Sequence, residues 1–234
     1  MTPVYRRARP VSYASLPIVE QELDRLLNLG AIKPVRHADW AAPVIVVKKP
    51  EGSARLCDDY STGLNDALQL HQHPLPIPED IFATLNGGHV FSQINVSDAY
   101  LQVELDDDSK QLCNINTHRG IYEYQRLPFG IKSAPRIFQA IMDKMLAGLP
   151  FATAYLDDIV VVSRSQDDHR RHLHAVFNRI NEYGFRVHPG KCSFFQPSIK
   201  YLGFIVDKEG CRPDPQKITA LHPPTSPHSA LSLG

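Results

Sequence analysis

The chain has 234 residues, 43% hydrophobic and 21% charged, an ordinary globular composition with length enough for a buried core. Lysine plus arginine and aspartate plus glutamate each total 25, so no overall basic charge announces nucleic acid, although a locally basic groove stays open. No stretch approaches 18 consecutive apolar residues, and Met1 to Pro10, with Arg6, Arg7 and Arg9, has no apolar leader core; the expectation is an intracellular protein, cytoplasmic or nuclear, without a membrane partner.

Along the chain, residues 1–14 form an N-terminal extension. Residues 15–30 predict a helix, with Ser15 as cap, Pro17 in the first turn, Val19, Leu23, Leu26 and Leu27 as its apolar face and Gly30 as the stop. Ala42 to Lys48 and Ala54 to Tyr60 predict a hairpin across the turn Pro50-Glu51-Gly52. After an extended Pro-rich run from His71, Pro78 to Leu85 predicts a short helix ended by Gly87-Gly88. Val90 to Val96 is a strand, followed by a helical turn around Ser97 to Gln102. Asp106-Asp107-Asp108 reads as a solvated acidic turn, and residues 112–126 as a strand pair. Ser133 to Leu146 carries Ile137, Phe138, Ile141, Met145 and Leu146 at helical spacing. Gln166 to Tyr183 predicts a polar-faced helix, with His169, His172 and His174 on a solvated face. Short strands follow at Phe194-Phe195 and Tyr201 to Val206. From about Pro213 the text becomes Pro/Ser/His-rich and is expected to be disordered. Cys57, Cys113, Cys192 and Cys211 show no CxxC pair and read as buried thiols. Irregular alternation with hairpins makes the class α+β with a mostly antiparallel sheet.

Tyr155-Leu156-Asp157-Asp158 is the stretch with chemistry in it. Short β-branched runs flank it, Phe151 to Ala154 and Ile159 to Val162, so two buried strands meet at a turn that holds adjacent carboxylates. Buried ionised carboxylates need a partner or a cation, and hard oxygen donors suit Mg²⁺ or Mn²⁺. An Asp-rich surface turn is the alternative on this tetrapeptide alone.

The surrounding motifs separate the two. Arg55-Leu56-Cys57-Asp58-Asp59-Tyr60 with Leu64-Asn65, Phe91 to Tyr100, Leu127-Pro128-Phe129-Gly130 with Ser133-Ala134-Pro135 and Phe138-Gln139, the double aspartate, Gly184-Phe185 with Lys191-Cys192, and Tyr201-Leu202-Gly203-Phe204 occur in this order. Order and spacing resemble the reverse transcriptase domain of Gypsy-type long-terminal-repeat retrotransposon polyproteins over about residues 15–215. The resemblance implies a right-hand polymerase. Fingers would come from about 15–90 and 112–150 and the palm from most of the rest to 212, with a mostly antiparallel palm sheet and helices on one face. Residues 213–234 would hold only the start of a thumb. The implied chemistry is two-metal nucleotidyl transfer to a primer 3′-hydroxyl, with Mg²⁺ or Mn²⁺ ions about 3.5–4 Å apart held by Asp157, Asp158, the residue at 95 and the carbonyl of Val96. An RNA or DNA template–primer and deoxynucleoside triphosphates would be the partners, beside other segments of a polyprotein.

One position departs from the pattern. The resemblance places a third aspartate at 95, and this chain has Asn95. An amide offers one neutral oxygen and cannot bridge two cations with a negative charge, so catalysis is expected to drop on the order of 10³-fold. The same resemblance gives Lys49 and Arg55 as triphosphate clamps, Asp98 and Ala99 as backbone donors to phosphate, Tyr100 as a gate against ribose and Phe129 as a nucleotide-pocket residue. It makes Lys191 a general acid, and Tyr201, Leu202, Gly203 and Phe204 a primer-grip hairpin. Asp98, leaving the strand into a helical turn, is expected to point away and not replace Asn95. A catalytically inactive remnant that binds nucleic acid or nucleotide weakly is the competing reading.

Overall fold

Pro17 sits in the first turn of Leu16–Asn28 (α1), where an amide has no intrahelical partner to lose. Val19, Leu23 and Leu26 recur at helical spacing on its buried face. This computed structural model describes residues 2–48 and 54–216. The turn at 50–52, Lys49 and the tail from 217 lie outside the described residues, as does the side chain of Arg55.

Ile32–Val35 (β1), Ala42–Lys48 (β2) and Ala54–Asp58 (β3) follow, then two short helices, Leu64–Ala67 (α2) and Pro78–Leu85 (α3). Val90–Asn95 (β4) leads through a 3-10 turn at Ala99–Gln102 to Asp107–Leu112 (α4). Asn114–Thr117 (β5) and Gly120–Tyr124 (β6) form a hairpin ahead of Ala134–Leu146 (α5). Ala152–Tyr155 (β7) and Asp158–Ser163 (β8) precede Gln166–Glu182 (α6). Ser193–Gln196 (β9), Ser198–Tyr201 (β10), Phe204–Asp207 (β11) and Gly210–Pro213 (β12) complete the described chain.

The described residues form three sheets. One has the order β1-β6-β5-β2-β3, with β2 and β5 parallel and every other pairing antiparallel. The second, β7-β8-β4-β9, is wholly antiparallel, and the third is the meander β10-β11-β12. The four-stranded sheet is buried on both faces, which explains why β8 is a continuous apolar run. On one side Ile94, Ile159 and Val161 pack against Phe138, Met142 and Met145 of α5 and Leu173, Val176 and Ile180 of α6. On the other, Phe91, Val160 and Val162 meet Ile81 and Leu85 of α3 and Ile199, Tyr201 and Val206 of the meander. A separate core joins α1 to the five-stranded sheet around Leu23, Trp40, Ile115 and Tyr124. Among the described residues no helix is long and apolar enough to cross a membrane.

Several expectations change. Asp106-Asp107-Asp108 is not a plain solvated turn but the start of α4: Asp106 Oδ1 accepts the Ser109 amide at 2.7 Å, and acidic side chains suit a helix N-terminus. The strand expected over 201–206 is broken into β10 and β11, because Leu202 and Gly203 both have positive φ, 48° and 88°, the signature of a two-residue hairpin turn. His169 is fully buried rather than solvated. It sits in register with Leu173, Val176 and Ile180 on the core stripe of α6, between Ser92 Oγ at 2.7 Å and Ser163 Oγ at 2.8 Å. His172 is half-buried and stacks on Phe151 with ring centroids 3.7 Å apart, while His174 is exposed. Arg170 and Arg171 pair with Asp167 and Asp168. Cys211 is exposed, Cys57 and Cys192 are part-buried, and Cys113 alone of the four is buried.

Candidate active site

Strand pairing alone brings the central residues together. Asn95 ends β4 directly opposite Asp158, which begins β8, and Tyr155 lies opposite Asp158 across the β7–β8 turn. Leu156 and Asp157 are the two turn residues. The Asn95 amide Nδ2 donates to Asp158 Oδ1 at 2.8 Å and to Asp157 Oδ2 at 3.2 Å. Backbone bonds fix the frame: the Val96 amide donates to the Asp157 carbonyl and the His188 amide to the Asn95 carbonyl, both at 2.8 Å. Burial pushes the Asp158 carboxyl above the usual carboxylate range; the Asn95 donor and the Lys191 charge oppose that shift, and the Asp157 charge adds to it.

Leu156 has φ +54°, an unusual conformation for a branched residue that costs about 1–2 kcal/mol. Gln139 compensates from α5. Its side chain is fully buried; Oε1 accepts the Leu156 amide at 2.8 Å, and Nε2 donates to the Ala154 carbonyl at 3.0 Å. Gln139 was visible only as part of the Phe138-Gln139 motif. A lone amide on an apolar helical face was the available signal. From the meander, the Tyr201 hydroxyl donates to the Asp158 carbonyl at 3.0 Å, tying the Tyr201-Leu202-Gly203-Phe204 hairpin to the turn, while Phe204 packs on Phe82 at 4.9 Å.

The remaining candidates surround this centre. Lys191 is exposed, on a 3-10 turn close enough for its charge to act on Asp158. Tyr100 is half-buried between Phe129 and Phe138, with centroids at 4.9 and 5.5 Å, and burial, reinforced by the Asp157 charge, raises its hydroxyl pKa. Ala99 is buried. Asp98, at φ +42°, turns its carboxylate away to Arg25 Nη1 at 3.1 Å, and Arg25 is also held by Glu22. A cleft of about 300 Å³ opens here, lined by Arg25, Asp58, Asp98, Tyr124, Phe129 and Gly130 among others. Arg25 carried no mark in the sequence, and Asp58 was visible only inside the motif Arg55 to Tyr60. The structure therefore gathers positions 95, 157 and 158 with Tyr201, Lys191 and Tyr100, and leaves the Asp98 side chain outside that group.

As a cation site the donor set is depleted. Among the described residues no group of three or more His, Cys, Asp and Glu side chains is arranged to hold a metal. Two adjacent carboxylates fit a hard divalent ion, with the Asn95 amide turned to present its oxygen. A pair of ions sharing charged bridging ligands fits them poorly.

An antiparallel sheet that carries the paired carboxylates at one end, backed by two helices on one face and by α3 and the meander on the other, defines the class: the palm and fingers of a polymerase. The sequence matches the family described as reverse transcriptase (RNA-dependent DNA polymerase) over residues 47–206, and the chain belongs to that family. It is 50% identical over 99% of its length to the uncharacterized protein K02A2.6 of Caenorhabditis elegans and 33% identical over 94% to the retrovirus-related Pol polyprotein from transposon gypsy of Drosophila melanogaster. The chain spans only 18% and 22% of the lengths of those two relatives. The foamy viral protease–reverse transcriptase in complex with double-stranded DNA shares the fold at TM-score 0.88 and 23% identity, over 97% of this chain and 40% of that one. The same viral enzyme in complex with RNA/DNA hybrid gives 0.87 over 97% and 30%.

Proposed function

We propose that the chain is the nucleotidyl-transfer module of an RNA-directed DNA polymerase, extending a primer 3′-hydroxyl with deoxynucleoside triphosphates on an RNA or DNA template inside the cell, as one segment of a longer polyprotein. The convergence of positions 95, 157 and 158 on β4 and β8 carries this reading. Asp157 and Asp158, with the Asn95 amide oxygen and the Val96 carbonyl, would hold Mg²⁺ or Mn²⁺. A bound ion would lower the pKa of the attacking hydroxyl and take up charge on the leaving pyrophosphate.

The chain's own residues do the rest. Tyr100, wedged on Phe129, presents an aromatic wall that excludes a ribose 2′-hydroxyl. Ala99 and Asp98 offer backbone amides to the triphosphate, with Lys49 and Arg55 as its cationic clamps. Lys191 would serve as the general acid for the leaving group, and the Tyr201–Phe204 hairpin steadies the primer end. A specific observation favours a weakened copy: Asn95 donates hydrogen bonds into both carboxylates, where a cation would accept their lone pairs.

Template-directed primer extension tests the reading. The unmodified chain should incorporate near background, and Asn95→Asp should raise incorporation on the order of 10³-fold. Adding Asp157→Ala should abolish that gain. No incorporation by Asn95→Asp would leave the non-catalytic, weakly binding remnant. Robust extension by the unmodified chain would overturn the impairment.

A further inference from the structure

Gln139 has three polar neighbours, and two of them only accept. Nε2 donates to Asp143 Oδ1 at 2.7 Å, one helical turn on, and to the Ala154 carbonyl; Oε1 takes the Leu156 amide. A side-chain amide turned end for end keeps its shape, so hydrogen-bond partners decide which atom faces the turn. With the carboxylate of Asp143 on one side and a carbonyl on the other, only one orientation is free of acceptor–acceptor contact.

Asp143 is itself held from outside. His73 Nε2 donates to Asp143 Oδ2 at 2.6 Å, and the Arg136 guanidinium donates to the His73 carbonyl at 3.4 Å. Further along, Ser133 Oγ donates to the Gln69 carbonyl and accepts the His71 amide. Ser133, Arg136 and Asp143 thus lie along one face of α5 and pin the extended strap 69–73 to it.

We infer that Asp143 is a positioning residue: it fixes the Gln139 amide, which holds the double-aspartate turn, and through His73 it links that turn to the surface strap. This rests on the reading that the turn presents cation-binding carboxylates. Its test needs neither metal nor substrate, so it can fail while primer extension succeeds, and the reverse.

The test is residue-resolved hydrogen exchange in the metal-free chain. Asp143 is 42% exposed, so its replacement should leave the core folded. In Asp143→Ala the Leu156 amide should exchange on the order of tenfold faster, with the Val160 and Val161 amides of β8 unchanged. Asp143→Asn, which keeps an acceptor oxygen, should bring the Leu156 rate back toward that of the unmodified chain. His73→Ala should accelerate Leu156 in the same direction. An unchanged Leu156 rate in Asp143→Ala, or equal acceleration of every β7 and β8 amide, would overturn the proposal. No effect of His73→Ala would overturn the strap's part in it.

Discussion

A part-buried carboxylate on the cleft wall and a buried histidine set opposing pH slopes. Burial pushes the Asp58 carboxyl up to about 7, with the Tyr124 hydroxyl bond at 2.7 Å acting against that shift. The protonated form is favoured more in the fold than in the unfolded chain. The stability this gives is full below the unfolded value near 3.8 and is lost as pH rises toward about 7. His169 runs the other way. Burial pushes it down to about 4 from 6.5, so its contribution is full above 6.5 and is lost as pH falls toward 4. Asp58→Asn should therefore melt like the unmodified chain near about pH 4 and be more stable above about pH 7. A difference constant with pH in thermal melts would contradict this. Legibility at this scale was uneven. Asp157, Asp158 and Asn95 stood out because they interrupt apolar strands. Arg25 did not, and the motif that holds Asp58 gave no sign of its partner, since their contacts to Asp98 and Tyr124 span 73 and 66 residues of sequence.

Glycines show how tightly elements meet at the end of the four-stranded sheet opposite the site. A Cβ on Gly88, between α3 and β4, would lie 2.1 Å from Val162 Cγ2 and 3.0 Å from the Phe91 ring, both core side chains under the four-stranded sheet. Gly87, at φ +72°, has nothing within 4 Å. Gly88→Ala should lower stability by about 1–3 kcal/mol through overpacking, and Gly87→Ala by about 1–2 through backbone strain alone. Denaturant melts giving a loss at Gly88 smaller than at Gly87 would contradict the packing account. Most elements were legible because their periodicity is strong: β2 and α3 run over the residues expected, and α1, α5 and α6 differ from expectation by only one or two at their ends. Three were not. β1 contains Pro34 and pairs with β6 far along the chain, α2 is a single turn, and α4 depends on a cap that looks like an ordinary acidic turn.

At the scale of the whole molecule, the α+β class and the antiparallel sheet followed from element order. The stacking of α3 and the meander on the second face of that sheet did not, because Ile81, Tyr201 and Val206 meet only through tertiary packing. The chain is a member of the reverse transcriptase family whose fold brings an amide, rather than a third carboxylate, between Asp157 and Asp158. Titration with Mn²⁺, read by its paramagnetic signal, tests that claim most directly. The unmodified chain should bind weakly. Asn95→Asp should bind at least about tenfold tighter by adding a charged ligand, and Asp157→Ala should remove binding from both. Equal affinity for the unmodified chain and Asn95→Asp, or binding indifferent to Asp157, would contradict the account.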